Sequence, residues 1–121
     1  MIDIYGLKNC DTCRRAQKWA KGEGLDFRFH DLREHPIERA SLEAWADAVG
    51  WSVLLNRRST TWRNLDEDAR TSLDETRALD LMVRHSALVK RPIFAFREKG
   101  VRRYGVGLDD ALKGRLREAE R

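Results

Sequence analysis

The residues whose type and spacing first suggest chemistry are Cys10 and Cys13, in the stretch YGLKNCDTCRRAQ, between an apolar start and a run of arginines. A cysteine acts as a nucleophile or metal ligand through its thiolate, so its surroundings must favour negative charge. A helix starting near Cys10 does this through unpaired backbone N–H groups and the positive end of its dipole, and Lys8, Arg14 and Arg15 add positive charge. Cys13, one turn on, is then placed to close a disulfide. Three readings compete: a redox pair, half of a zinc site completed by His30 and His35 in a C-x2-C…H-x4-H pattern, and two inert buried thiols. An apparent strand carrying its own buried pair, Phe27 and Phe29, speaks against zinc. A CxxC between a strand and the helix of a βαβ unit speaks for redox chemistry.

A second candidate group is Arg91 before Pro92. Proline locks its own φ and restricts the residue before it, so a Lys-Arg-Pro segment entering a buried strand holds a guanidinium in place. Held there, Arg91 offers a planar fork to a tetrahedral oxyanion or a carboxylate. The competing reading makes Lys90 and Arg91 solvated residues at a strand entrance. Arg57 and Arg58 lie in a polar loop flanked by Trp51 and Trp62, tryptophans better suited to pinning that loop than to touching substrate.

The elements that must position these groups follow from hydrophobic periodicity. IDIY (2–5) alternates as a strand does, and Gly6 marks a turn. From about Cys10 the period becomes helical, with Ala16, Trp19 and Ala20 on one face and Gly22 and Gly24 as stops. DFRFHD alternates again, completing a βαβ unit. Pro36 is placed as the first residue of a second helix carrying Leu42, Trp45, Ala46 and Val49, which Gly50 ends. WSVLLNRRSTTWRNL reads as a short apolar run followed by an arginine-rich loop. Ser72 and Glu75 suggest a capping box for a helix with Ala78, Leu81 and Met82. IFAF, the turn REKG and VRRYG predict a β-hairpin, and Leu108 to Ala119 a closing amphipathic helix.

With 121 residues, 41% hydrophobic and 36% charged, the chain is expected to fold as one domain over 1–121. Two cysteines are too few for a disulfide framework. With no apolar run of membrane-spanning length and no signal-like start, the expectation is a cytoplasmic monomer without a membrane partner. The net charge of +4 suits anionic ligands, but acids are interleaved through most of the chain, so direct nucleic-acid binding is not expected.

Four blocks, YGLKNCDTCRRAQKWA, FRFHDLRE, GWSVLLNRRSTTWRNL and LVKRPIFAF, resemble the arsenate-reductase-like (ArsC/Spx) family, most closely its YffB branch. The resemblance implies a thioredoxin-like mixed β-sheet flanked by helices, with a helical insertion between βαβ and ββα halves. It implies Cys10 as catalytic nucleophile, Cys13 as resolving thiol, and an anion pocket containing Arg91 beside a cis Pro92. Arg58, or else Arg57, takes the place of a second arginine, and Lys8 belongs to the same basic surroundings. It further implies a thiol-dependent reductase with no bound cofactor or metal, glutathione or another small thiol as co-substrate, and an oxyanion or mixed disulfide as oxidised substrate. The sequence departs from the family twice. A third arginine expected after the hairpin falls on Gly105, and Cys13 is typical of the Spx regulators, which bind RNA polymerase and sense oxidation. An Spx-like regulator is therefore the alternative.

Overall fold

The computed structural model describes residues 1–120. Elements follow in the order β1 (Ile2–Gly6), α1 (Asp11–Gly22), β2 (Phe27–Asp31), α2 (Arg39–Val49), α3 (Trp51–Leu54), α4 (Thr60–Arg63), α5 (Glu67–Thr71) and α6 (Glu75–Arg84). A single 3-10 turn, Ser86–Leu88, then leads to β3 (Ile93–Glu98), β4 (Val101–Val106) and α7 (Asp110–Glu118). The chain divides into two compact units: Met1–His35 with Arg91–Arg121, and Pro36–Lys90. The second is the helical insertion that the sequence led us to expect within one domain.

The first unit is built on a four-stranded sheet in the order β2-β1-β3-β4. β1 runs parallel to β2 and antiparallel to β3, and β3 and β4 form the expected hairpin. Lys99 and Gly100, both with positive φ, make the two-residue turn whose twist suits a hairpin. Because side chains alternate along a strand, Ile2 and Ile4 of β1 share a face with Phe94 and Phe96 of β3. These four pack against Ala16 and Ala20 of α1 and Leu112 and Leu116 of α7, with Trp19, Phe27 and Phe29 at the margin of the core. α7 starts cleanly because the Asp109 carboxylate accepts from the Leu112 N–H at 2.8 Å.

In the second unit α2, α3 and α6 pack around buried Leu42, Trp45, Leu54, Leu79 and Met82. Two starts differ from the sequence reading. α2 begins at Arg39 after an extended Glu38, not at Pro36, because its apolar stripe only opens at Leu42. α6 is capped by Asp74, which accepts from the Arg77 N–H at 2.9 Å, and not by Ser72, which terminates α5. Asp caps as well as Ser does, and it lies closer to the stripe. The stretch 51–65 contains two short helices, α3 and α4, where the sequence suggested a loop.

Candidate active site

Cys10 stands at the end of a loop fastened to the neighbouring strand. The buried Asp31, last residue of β2, accepts from the backbone N–H groups of Lys8 at 3.1 Å and Arg33 at 2.8 Å, which hold its carboxyl below the ordinary range. Leu32 N–H bonds the Gly6 carbonyl at 2.8 Å, and Cys10 N–H bonds that of Leu7 at 3.2 Å. Cys10 itself is the N-cap of α1, with extended backbone, and its carbonyl receives the Arg14 N–H at 2.9 Å.

The Cys10 sulfur lies 3.0 Å from the Thr12 hydroxyl. Burial opposes its ionisation, but hydrogen bonds from Thr12, from the Cys13 backbone and thiol, and from the Arg91 guanidinium outweigh it, lowering the thiol from 9.0 to about 7. A substantial fraction of Cys10 is therefore thiolate at neutral pH. Cys13 faces the opposite fate. It is fully buried beneath the end of β1, and burial above all pushes its thiol up to about 11, with the adjacent Cys10 adding to the effect. Both cysteines are free thiols.

Its neighbour Gly6 makes this packing possible, because a Cβ at position 6 would overlap the Cys13 sulfur. The sequence marked Gly6 only as a turn. Thr12 and Asp31 were also missed. Thr12 carried a signal, a hydroxyl two residues past a candidate N-cap thiol. Asp31 gave none beyond its place at a strand end.

The peptide between Arg91 and Pro92 is cis. The Arg91 guanidinium reaches Cys10, while its Nε is buried and has no hydrogen-bond partner. An unpaired buried N–H is costly, and Arg91 Nε carries such a donor beside the Cys10 sulfur. Lys8 points elsewhere: its ammonium pairs with Glu34 at 2.5 Å. Arg14 donates through Nε to the Lys8 carbonyl at 3.1 Å. Neither is among the leading causes of the lowered Cys10 value, which the sequence reading had credited to them.

Arg57 and Arg58 belong to the second unit. Asn56 organises their loop, accepting the Arg58 N–H at 3.1 Å, while Ser59 caps α4 by accepting from Trp62 N–H at 3.1 Å. The Arg57 guanidinium donates to the Ser52 carbonyl at 3.1 Å and lies over the Trp62 ring at 5.8 Å, so Trp62 pins the loop. Arg57, Arg58 and Lys90 line one basic concavity with Leu55 and Asn56.

Gly105 faces α7, and a Cβ there would come within 2.8 Å of Leu112. No arginine head group could leave that position without displacing the core. His30, proposed above as a zinc ligand, stacks on Tyr5 and places Nε2 2.8 Å from the Asp3 carboxylate. Among the described residues no three of His, Cys, Asp and Glu are grouped to hold a metal ion. Among the described residues no helix is long and apolar enough to cross a membrane.

The ArsC family model matches residues 5–109, a span that includes the Cys10 loop, the helical insertion and the Arg91-Pro92 segment. The chain belongs to the ArsC family. Among solved ArsC-like structures, a YFFB protein superposes with a TM-score of 0.87 at 35% identity, covering 96% of this chain and 99% of that one. An arsenate reductase (ArsC) related protein from Brucella melitensis gives 0.72 at 36% identity over 94% and 92% of the two chains. The global transcriptional regulator Spx of Streptococcus pyogenes is 26% identical over 95 residues, 77% of this chain and 70% of its own. The sheet with its helical insertion is thus the thioredoxin-like architecture of the ArsC fold, and family membership brings arsenate-reductase-like proteins and Spx regulators together as relatives.

Proposed function

We propose that this ArsC-family protein is a glutathione-linked thiol reductase with Cys10 as nucleophile. The observation that carries the reading is the pairing of a thiol lowered to about 7 with an adjacent arginine whose buried Nε lacks an acceptor. A thiolate at neutral pH supplies the nucleophile, and the free donor suits a carboxylate or an oxyanion on the substrate.

With a glutathione mixed disulfide as substrate, the Cys10 thiolate attacks the glutathione sulfur. The substrate sulfur leaves as a thiolate and takes a proton from water, and Cys10 is left disulfide-bonded to glutathione. A second glutathione thiolate then attacks the bound glutathione sulfur, forming oxidised glutathione and returning the Cys10 thiolate. Cys13, protonated because of its burial, is the weaker resolving nucleophile and serves as a secondary route through a Cys10–Cys13 disulfide. Arsenate is the other oxidised substrate suited to the same thiolate and donor.

Turnover of the reduced protein with glutathione, offering a glutathionylated substrate and arsenate in parallel, tests the reading. Cys10→Ser is expected to abolish activity and Cys13→Ser to retain a substantial part. Arg91→Ala is expected to weaken the anionic co-substrate by ~2 kcal/mol, with Lys a partial replacement because it lacks the planar fork. Retained turnover in Cys10→Ser would end the assignment. The Spx-like reading draws support from the CxxC pair and the Spx relative. It predicts capture of RNA polymerase by the protein and no turnover.

A further inference from the structure

A groove between α1 and α7 leads away from Cys10, and the reductase reading makes no use of it. Its near end is formed by Thr12 and Arg91, two of the side chains that hydrogen-bond the Cys10 sulfur, together with Pro92 and Gly107. From there it passes Arg15, Trp19 and Lys113 as a cavity of about 280 Å³. It continues as an open channel along Arg15, Lys18 and Trp19 to Gly22. The channel is open along its far part, which suits a stretch of extended chain better than a compact ligand.

Cations dominate the groove lining, with Glu23 as an acid at its far end beside Gly22. Arg15 and Lys18 are exposed and make no hydrogen bond or ion pair among the described residues, and the Lys113 ammonium rests over the Trp19 ring at 5.9 Å, with Glu23 acting on it only at longer range. The acids nearby are engaged or turned to solvent. Glu23 receives two bonds from Arg117, at 2.7 and 3.0 Å, Asp109 caps α7, and Asp110 is exposed in its first turn. Trp19 offers a partly buried aromatic edge between the cations.

The geometry points to this groove as the seat of an acidic peptide segment that carries the cysteine to be reduced. The inference rests on the reductase reading and names its substrate class: a protein mixed disulfide with Asp or Glu close in sequence to the modified cysteine. Along α1, Arg15 lies about 7.5 Å and Lys18 about 12 Å beyond Cys10, at 1.5 Å per residue. An extended peptide advances about 3.3 Å per residue, so acids roughly two to four residues from the cysteine meet these cations. The chemistry is that given above: Cys10 attacks the glutathione sulfur, and the peptide thiolate departs along the groove.

The test uses synthetic peptides glutathionylated on a single cysteine, with Glu or with Lys two to four residues away, beside a small neutral mixed disulfide of glutathione and 2-mercaptoethanol. Wild type is expected to show about tenfold higher kcat/KM for the acidic than for the basic peptide at low salt, falling toward parity at high salt. In Arg15→Glu/Lys18→Glu the ratio of acidic to basic peptide is expected to invert. If the small disulfide is turned over but wild type treats the two peptides alike, the groove assignment is overturned and the reductase reading stands. If no disulfide is turned over, both fall. A preference that persists unchanged in the double variant places the discrimination elsewhere and also overturns the assignment.

Discussion

Two thiols within one helical turn are driven in opposite directions by their surroundings. Cys10 gathers hydrogen bonds to its charged form, while Cys13 loses solvent and gains a neighbouring negative charge. Alkylation is therefore expected to label Cys10 with a midpoint at pH about 7, leaving Cys13 unlabelled until strong alkali or unfolding. Thr12→Val removes a hydroxyl donor at 3.0 Å and is expected to shift the Cys10 midpoint upward. An unchanged midpoint would remove Thr12 from the site. The same values set a pH dependence of folding. Folding favours ionised Cys10, so its contribution is complete above the ordinary 9.0 and is lost as pH falls through about 7. Folding disfavours ionised Cys13, so above 9.0 the unfolded thiol ionises while the buried one resists until about 11, and stability declines. Thermal melts against pH, compared with a Cys10→Ser/Cys13→Ala variant, are expected to show the cysteine contribution greatest near 9.0.

At the scale of elements, the site depends on how closely α1 approaches β1. Gly6→Ala introduces a methyl into the space of the Cys13 sulfur, an overpacking expected to cost ~1–3 kcal/mol in chemical denaturation. Adding Cys13→Ala to that variant removes the sulfur, so the two substitutions are expected to cost less together than their sum. Strict additivity would show that the contact is not the cause. The hairpin and α7 are packed just as tightly at Gly105. Supplying the family's missing arginine there, as Gly105→Arg, is expected to lower the melting temperature without improving turnover of an anionic substrate, because Leu112 is buried in the core and has little room to move.

Within the first unit, the two faces of the sheet divide apolar packing from polar pairing. The face toward α1 and α7 buries the apolar core, and the opposite side of β1 presents Asp3, whose carboxylate is 5% exposed. It receives His30 at 2.8 Å and Arg28 at 3.1 Å from β2, and Arg102 at 3.4 Å from β4, across the whole width of the sheet. Burial alone would raise the Asp3 carboxyl, but His30, Arg28 and Arg102 outweigh it and hold it below 3.8. This contribution to folding is complete above 3.8 and is lost as pH falls through the lower folded value. Wild type is expected to lose more stability than Asp3→Asn between about pH 5 and 2 in acid melts. Parallel curves would show that the cluster does not stabilise the sheet.

Much of this architecture is local, and the sequence by itself determined it: the alternation of β1, the helical period after Cys10, the hairpin and α7 each follow from neighbouring residues. Cys10, Cys13, Arg91 and Pro92 were likewise legible, because a CxxC at a helix start and an arginine before proline are local patterns. Only the tertiary structure decided what acts on the Cys10 sulfur. Lys8 and Arg14 are nearest in sequence, yet Glu34 and the Lys8 carbonyl engage them, while Arg91 arrives from the far end of the chain. The donor left without an acceptor at Arg91 Nε and the basic groove between α1 and α7 have the same origin. Both depend on segments distant in sequence, and periodicity carries no record of which distant groups a closing sheet brings together.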